Sequence, residues 1–231
     1  MTDEPWEGTL RNEFNRWAEE GRGEAMEKSH LPIVEPMLAL LDFRPTDKVL
    51  DVGCGTGWLV RRLAPLVSAG LAAGMDVSDA MLQRAESLCA PLSNVALARG
   101  AVDAIPWESS FFTAVVSVES AYYWPDPALG CREIWRVLSP GGAAWILINY
   151  YRDNPYCHHW GDLLKVPARL FSAVEWTTLL RQAGFLEVTH RRVPDGSPTQ
   201  DVYTGCWFRD AEQMRNFKRE GALLLRASKA R

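Results

Sequence analysis

The chain has 231 residues, of which 47% are hydrophobic and 23% charged, and its formal net charge is −4. These proportions are typical of a soluble globular protein and exclude a disordered, collagen-like or fibrous chain. The first 30 residues hold eight acidic and four basic side chains, which accounts for the whole net charge. Bulk charge therefore gives no support for a nucleic-acid partner.

The sequence has no pattern typical of a membrane or secreted protein. Its longest apolar runs, such as Ala143–Ile148, are far shorter than the roughly 18 residues of a membrane-spanning helix. The N-terminus MTDEPWEGTL lacks the basic and apolar regions of a signal peptide. Five cysteines are widely spaced without a CxxC pair, which predicts reduced thiols rather than disulfides or metal ligands. We therefore expect a cytoplasmic protein without a membrane span or a metal site.

The N-terminal segment is predicted to be helical. Leu10, Phe14 and Trp17 recur at helical spacing and fall on one face. A second helix is expected over about Pro32–Leu41, after the break at Gly21-Arg22-Gly23. This segment could close over a ligand as a lid with glycine hinges, or it could pack at the domain edge as an ordinary amphipathic helix. The sequence leaves both interpretations open.

From residue 48 onward, apolar runs that predict strands alternate with segments of helical period, an order typical of a parallel sheet covered by helices. The predicted strands are Lys48–Val52, Gly70–Met75, Val95–Arg99, Phe112–Val118, Ala143–Asn149, Leu186–Val193 and Ala222–Arg226. The predicted helices are Trp58–Val67, one capped by Ser78, Pro127–Leu138, Val174–Ala183 and one around Ala211–Phe217. We expect an α/β, doubly wound domain over residues 31–231, with an aromatic insertion at about 151–172, preceded by a helical segment over residues 1–30.

Three glycines follow the first predicted strand at alternate positions, in the stretch VLDVGCGTG that ends at Gly57. Glycines there let backbone N–H groups approach a ligand closely, and the next helix directs its positive end at the same place. A nicotinamide-binding turn has a third glycine three residues after Gly55, where this chain has Trp58. The turn alone is weak evidence for a ligand, and Trp58 disfavours an oxidoreductase that uses a dinucleotide.

Acidic residues follow the next two strands. Asp76 ends the second strand, where a carboxylate can accept hydrogen bonds from both hydroxyls of a ribose, with Val77 against a purine face. Asp103 follows the third strand, where it can accept from an exocyclic amine such as that of adenine. Val102 and Ala104 would then present backbone atoms to the ring edge. Either acid could instead be an ordinary loop residue.

Together these residues resemble the class I S-adenosylmethionine-dependent methyltransferases, in the branch that includes ubiquinone and menaquinone C-methyltransferases. LDVGCGTG is similar to their first motif, Asp76 in MDVSDAML to their ribose-binding acid, and Asp103 in AVDAIPW to their adenine-binding acid. REIWRVLSPGG resembles their turn before strand five, and the resemblance covers about Val49–Asn149. The chain departs from the family at Phe112, because the family usually has an aspartate there, and this departure concerns local stability rather than the cofactor.

The resemblance implies a seven-stranded, mostly parallel sheet of order 3-2-1-4-5-7-6, with an antiparallel seventh strand and helices on both faces. It implies S-adenosylmethionine as the cofactor, lying over strands one, two and four. The cofactor-binding residues that it implies are Asp51, Gly53, Cys54, Gly55, Asp76, Val77, Val102, Asp103, Ala104, Glu119 and Ser120. Within this set, Glu119 and Ser120 would close on the methionine half of the cofactor after strand four.

Methyl transfer is an in-line displacement, so the protein mainly aligns the nucleophile and excludes water. Positioning supplies about 7–11 kcal/mol, whereas a general base supplies about 3–5 kcal/mol, and the sequence identifies no catalytic residue. The predicted acceptor contacts are Tyr122, Trp124, Tyr151 and His158, with Glu119 and the aromatic residues Tyr123, Tyr150, Tyr156, His159 and Trp160 as further candidates. Their rings would line an apolar acceptor pocket or face a cation, or else form a small core beneath a long loop.

The leading hypothesis is a cytoplasmic enzyme that moves a methyl group from S-adenosylmethionine to a small, partly apolar or aromatic acceptor. A second hypothesis is a non-catalytic module that binds the same cofactor. A third, the dinucleotide-dependent oxidoreductase, is disfavoured by Trp58. None of the three requires a metal ion, a nucleic acid or a membrane.

Overall fold

The computed structural model describes residues 6–199 and 201–231, apart from the side chain of Glu24. Within them, seven strands form one sheet in the order β3-β2-β1-β4-β5-β7-β6. The strands are β1 Lys48–Val52, β2 Leu71–Asp76, β3 Val95–Arg99, β4 Phe112–Val118, β5 Leu138–Ile148, β6 Glu187–Val193 and β7 Ala222–Ser228. The helices are α1 Trp6–Glu19, α2 Arg22–Leu38, α3 Trp58–Leu63, α4 Asp79–Cys89, α5 Pro127–Val137, α6 Trp160–Leu163, α7 Ala173–Gln182 and α8 Ala211–Glu220.

The sheet is parallel from β3 through β5 and becomes antiparallel at β7. β1 lies between β2 and β4, with Val49 opposite Ala72 of β2 and opposite Ala114 of β4. β7 runs antiparallel to both β5 and β6. The predicted α/β fold, strand order and antiparallel seventh strand are confirmed. Because parallel strands end at one edge, the loops after β1, β2 and β4 come together there.

Both faces of the sheet are buried, which explains why its central strands are almost continuously apolar. Successive β1 residues alternate between two cores: Val49 packs into one, and Leu50 and Val52 pack into the other. The start of α4 is fixed by a side-chain cap at Ser78, whose Oγ accepts from Met81 N at 3.1 Å. The cap at Ser78 is confirmed, and it fixes where the chain turns after β2.

The second helix begins earlier than expected. α2 starts at Arg22 rather than at about Pro32, since only Gly21, with φ +72°, takes the left-handed conformation that ends α1. Gly23 continues into α2, where a Cβ would lie only 2.3 Å from Thr56 Cγ2. The boundary drawn at residue 30 therefore falls inside a helix, and α2 packs against the glycine-rich turn after β1.

Phe112, which replaces the expected aspartate, fills the core. Its side chain is fully buried, and its ring meets Trp107 and Phe111 edge-on, with centroids 5.3 and 4.9 Å away. Ser139 Oγ donates to the Phe112 carbonyl at 2.9 Å. The expected doubt about local stability is therefore not supported, because an aromatic cluster packs around Phe112.

Other boundaries differ by a few residues. The helix α3 ends at Leu63 rather than at Val67, and the SPGG stretch belongs to an irregular first part of β5. All five cysteines are free thiols, as predicted. Across residues 6–199 and 201–231, the structure contains no helix with the length and apolarity that a bilayer crossing requires.

Candidate functional site

A cavity opens at the carboxyl ends of β1, β2 and β4, and we call it the first cavity. Its space, including the open mouth, is about 930 Å³. Eight of the predicted cofactor-binding residues line it: Gly53, Cys54, Gly55, Asp76, Val77, Val102, Glu119 and Ser120. The structure therefore brings together residues that are separated by up to 67 positions in the sequence, from Gly53 to Ser120.

The glycine-rich turn presents its backbone to this cavity. Gly53 N and Cys54 N donate to Met75 O at 2.8 and 2.9 Å, which ties the turn to the end of β2. A Cβ on Gly53 would lie 2.5 Å from Ser120 Cβ, so only glycine fits there. At Gly55, with φ +53°, a Cβ would meet nothing within 4 Å and would enter open space. A ligand can therefore lie directly against the Gly55 backbone.

The Asp76 carboxylate forms the polar edge of the first cavity. Its Oδ1 accepts from Ser78 N and its Oδ2 from Gly55 N, both at 2.9 Å. Burial raises the pKa of Asp76 above its ordinary value, and the backbone hydrogen bonds from Ser78 and Gly55 oppose that rise. Each oxygen has a further lone pair for a ligand hydroxyl. This donor and acceptor set fits a ribose beside the glycine-rich turn.

Three predicted cofactor residues lie outside the wall of the first cavity. Asp51 is only 2% exposed beneath the turn, where burial and the nearby Asp76 charge raise its pKa to about 8. Asp103 and Ala104 lie on a 3-10 turn over 102–104, of which only Val102 lines the cavity. The contacts expected of Asp51, Asp103 and Ala104 with the cofactor stay predictions.

The N-terminal helices cover the first cavity. Trp6 Nε1 donates to Tyr123 O at 2.9 Å, and the Phe14 ring meets the Tyr123 ring edge-on, with centroids 5.2 Å apart. Asn15 Oδ1 accepts from Ser78 Oγ at 2.7 Å, which ties α1 to the start of α4. From α1 and α2, the residues that line the cavity are Glu7, Leu10, Phe14, Trp17, Met26 and His30.

A second cavity adjoins the first on the side of β5, and its space, including the open mouth, is about 1680 Å³. Its walls are largely aromatic, with Trp17, Tyr122, Tyr123, Tyr150, Trp160, Trp207, Phe208 and Phe217. Five residues line both cavities: Trp17, Met26, His30, Glu119 and Tyr123. The two spaces therefore share a wall, and a molecule in one can lie close to a molecule in the other.

The predicted acceptor contacts are divided between the cavities and the core. Tyr122 lines the second cavity and Trp124 the first. Neither cavity is lined by Tyr151 or His158, so their prediction as acceptor contacts is not supported. Tyr151 is fully buried, and its OH donates to Gly221 O at 2.8 Å. His158 is exposed and makes its ring hydrogen bond to Arg152 O.

The further candidates divide in the same way. Tyr123, Tyr150 and Trp160 line the second cavity, whereas Tyr156 and His159 do not. His159 Nε2 instead forms a 2.8 Å hydrogen bond with Trp207 O. That contact holds the loop before α8 against α6, so His159 supports the aromatic wall from behind.

Two parts of the site were not predicted from the sequence. The first is α2, which contributes Met26 and His30, and desolvation lowers the pKa of His30 to about 4, so its ring is neutral near pH 7. The second is the segment around α8, which contributes Trp207, Phe208, Phe217 and Lys218. The adjacent aromatic residues Trp207 and Phe208 were the available signal. Among the described residues, no group of three or more His, Cys, Asp or Glu side chains is placed to hold a metal ion.

Residues 49–142 match the family described as a methyltransferase domain. The chain is 28% identical over 177 residues, 77% of its length, to the Arabidopsis thaliana 2-methyl-6-phytyl-1,4-hydroquinone methyltransferase, of which it covers 48%. It is 35% identical over 96 residues to the Staphylococcus aureus demethylmenaquinone methyltransferase, a match that covers 41% of this chain and 40% of that protein. The chain thus spans about half the length, or less, of these curated relatives.

Solved structures share the fold. A chain from the complex between the Haloferax volcanii Trm112 methyltransferase activator and a methyltransferase is 28% identical, with a TM-score of 0.88. The match covers 95% of this chain and 98% of that one. A Thermotoga maritima protein described as an S-adenosylmethionine-dependent methyltransferase has a TM-score of 0.64 at 22% identity, covering 94% of this chain and 98% of that one. The similarity thus extends beyond the glycine-rich motif to the whole sheet and its helices.

Proposed function

We propose that the chain is a class I S-adenosylmethionine-dependent methyltransferase and that it transfers a methyl group from that cofactor to a small, partly apolar or aromatic acceptor. The observation that carries the proposal is the pair of adjoining cavities. The first has the Asp76 carboxylate beside the glycine-rich turn, and the second is lined by aromatic rings. Methyl transfer needs two bound molecules whose reacting atoms lie close together. A shared wall between two cavities meets that need.

The first cavity supplies groups that suit S-adenosylmethionine. Asp76 would accept hydrogen bonds from the ribose hydroxyls, and the open backbone at Gly55 would lie against the ligand. Val77 and Val102 would border the adenine, while Ser120, which donates to Val52 O at 2.9 Å, holds the loop after β4 at the methionine end. Apart from Asp51, Asp103 and Ala104, this assignment keeps the residues that the sequence resemblance implied.

When bound, the cofactor supplies a methyl group on a positively charged sulfur, which is already a strong electrophile. The protein's own contribution is to hold the acceptor in line and to keep water out. The helices α1 and α2 form part of the wall of the first cavity, to which Phe14 and Trp17 contribute aromatic rings. This position supports the interpretation of the N-terminal segment as a lid rather than as an ordinary edge helix.

The aromatic wall of the second cavity favours a planar acceptor. Tyr150 and Trp160 lie nearly parallel, with an interplanar angle of 9° and centroids 6.4 Å apart. Aromatic rings prefer stacked or edge-on partners, so a ring-containing acceptor gains more here than an aliphatic one. The names of the Arabidopsis and Staphylococcus relatives, a hydroquinone and a demethylmenaquinone methyltransferase, support the same class. The cytoplasm stays the predicted compartment, which the five free thiols support.

Formation of S-adenosylhomocysteine tests the proposed activity. Protein incubated with S-adenosylmethionine and a fractionated pool of small aromatic metabolites should release S-adenosylhomocysteine and a product heavier by one methylene unit. Persistent absence of product from protein that binds the cofactor would favour the non-catalytic binding module instead. Each outcome therefore selects one of the two hypotheses.

Replacement of Asp76 by Asn is expected to weaken S-adenosylmethionine binding at least about tenfold, since a hydrogen bond to a charged group contributes about 1.5–3 kcal/mol. The substitution keeps the side-chain shape but removes the charge that faces the ribose. Asp79→Asn, a change at a half-exposed carboxylate three residues later, should leave the affinity unchanged. The dissociation constants of the wild type, Asp76→Asn and Asp79→Asn are measured by calorimetry. Equal affinities in the wild type and Asp76→Asn would count against the ribose assignment.

A further inference from the structure

Glu119 occupies an unusual position at the end of β4. It lines both cavities, and its backbone φ of +54° lies in the left-handed region that favours glycine. The Oγ of the next residue, Ser120, forms hydrogen bonds with Val52 O and Ser117 Oγ. These bonds hold the backbone in place directly after Glu119. A strained backbone at a non-glycine residue persists only where its surroundings hold it, and such residues cluster at functional sites.

The Glu119 carboxylate is held by two donors that belong to the second cavity. Its Oε1 accepts from Asn149 N at 2.5 Å, and its Oε2 accepts from Tyr122 OH at 3.1 Å. Both donors line the second cavity and neither lines the first. Asn149 follows β5, on the opposite side of β4 from Asp76. The two bonds therefore hold the carboxylate beside the proposed acceptor space, on the side of β4 away from Asp76.

The surroundings of Glu119 suit a group that exchanges a proton. Among the described residues no Lys, Arg or His side chain lies within ion-pair distance of it, and burial raises its pKa to about 7. The hydrogen bonds from Asn149 and Tyr122 hold the pKa below the value that burial alone would give. A general base works best when its pKa lies near the working pH. The other titratable or charged groups that line the second cavity are Arg22, Lys28, His30, Tyr122, Tyr123, Tyr150, Asp195 and Lys218.

We propose that Glu119 is the base of the reaction and that the acceptor is a phenol, whose hydroxyl proton Glu119 takes. This inference rests on the proposed methyltransferase function and adds the acceptor class and the catalytic residue. The O–H bond breaks and its proton passes to a Glu119 oxygen. The electron pair left on the phenolate oxygen forms the bond to the methyl carbon, while the carbon–sulfur bond breaks and its pair stays on sulfur. Glu119 releases the proton to water after the product leaves.

The phenol assignment follows from the two features of the second cavity. Its aromatic rings favour a planar ring, and its one carboxylate on the shared wall is placed where the reacting atom would lie. A phenol combines a flat apolar body with a weakly acidic proton at one end, so it satisfies both. Tyr122 then acts as a positioning residue, since its OH holds one Glu119 oxygen while the remaining lone pairs face the acceptor.

The probe for this test is 4-nitrophenol, whose ionised form absorbs visible light and whose neutral form does not. It is titrated into protein saturated with S-adenosylhomocysteine at about pH 7.5, where Glu119, with a pKa of about 7, is largely ionised and can take a proton, and the band of the free probe is subtracted. Bound to the wild-type protein, the probe should show the phenolate band. Bound to Glu119→Gln it should stay neutral, because the amide cannot take the proton. Glu187→Gln, the same change at an exposed residue of β6, should behave as the wild type.

Turnover gives a second readout. With S-adenosylmethionine and the same phenol, Glu119→Gln should lose about 10²- to 10⁴-fold in kcat, measured at saturating S-adenosylmethionine so that any change in cofactor affinity does not contribute. Tyr122→Phe removes a hydrogen bond that lowers the pKa of Glu119, so probe ionisation and turnover should both move to higher pH. A purely structural role for Tyr122 would lower activity without moving the pH profile.

Three results would overturn the inference. They are a neutral probe in the wild-type complex, equal ionisation in Glu119→Gln, and failure of the phenol to bind protein that binds S-adenosylhomocysteine. Failure of S-adenosylhomocysteine itself to bind would instead contradict the proposed function. The first titration, of the nucleoside alone, therefore separates the two failures.

Discussion

The free energy of unfolding of the ligand-free protein is expected to fall by several kcal/mol as the pH rises from about 5 to about 8. Burial and the Asp76 charge raise the pKa of Asp51 to about 8, and burial raises that of Glu119 to about 7. The folded protein therefore keeps protons that the unfolded chain has already released. Where the folded state binds more protons than the unfolded state, stability decreases with increasing pH.

Asp51→Asn should remove the largest part of this dependence of stability on pH, because the amide side chain does not ionise and so has no charge to bury. The measurement is denaturant unfolding of the wild type and the variant at a series of pH values. Asp162→Asn, a change at an exposed carboxylate, should keep the wild-type slope. A fall in stability as steep in Asp51→Asn as in the wild type would show that Asp51 is not the group that holds the proton.

Phe112→Ala is expected to lower the free energy of unfolding by about 3–5 kcal/mol, the range for truncating a fully buried aromatic ring. Phe112 is 0% exposed and in edge contact with Trp107 and Phe111, so the cavity left behind has no easy way to close. Phe112→Asp, which introduces the residue that the family usually has, should cost more, since the carboxylate would enter this apolar cluster.

Phe112→Leu provides the matched control, because it keeps most of the apolar volume and should cost under about 1.5 kcal/mol. The free energies of unfolding of the wild type and the three Phe112 variants are obtained from the midpoints and slopes of their unfolding curves in urea. A Phe112→Asp variant as stable as the wild type would mean that the site tolerates the acid and that the aromatic cluster adds little.

The central part of the fold was predictable from the sequence because its signals are local. The bounds of β4 match the structure, since an almost continuous apolar run between turns marks a buried parallel strand. The strand order came only from the resemblance to the methyltransferase family. α2 was placed too late because the glycines at 21 and 23 look like one break, whereas only Gly21 adopts a positive φ.

The first cavity was largely predictable, and the second was not. The first is formed by consecutive strand ends, each with its own motif. The second is formed by segments from 17–32, 119–123, 149–164 and 195–218, and no short-range pattern joins them. Tyr151 and His158 were expected in the site from their aromatic neighbourhood alone. The hydrogen bond from Tyr151 OH to Gly221 O, which decides its position, joins residues 70 positions apart.

Calorimetric titration of the folded protein with S-adenosylmethionine measures whether the chain binds the cofactor that the proposed reaction needs. We expect one saturable site for each chain, and no heat of binding from NAD, since Trp58 replaces the third glycine of a dinucleotide turn. A flat trace with S-adenosylmethionine, from protein shown to be folded by circular dichroism, would contradict the account.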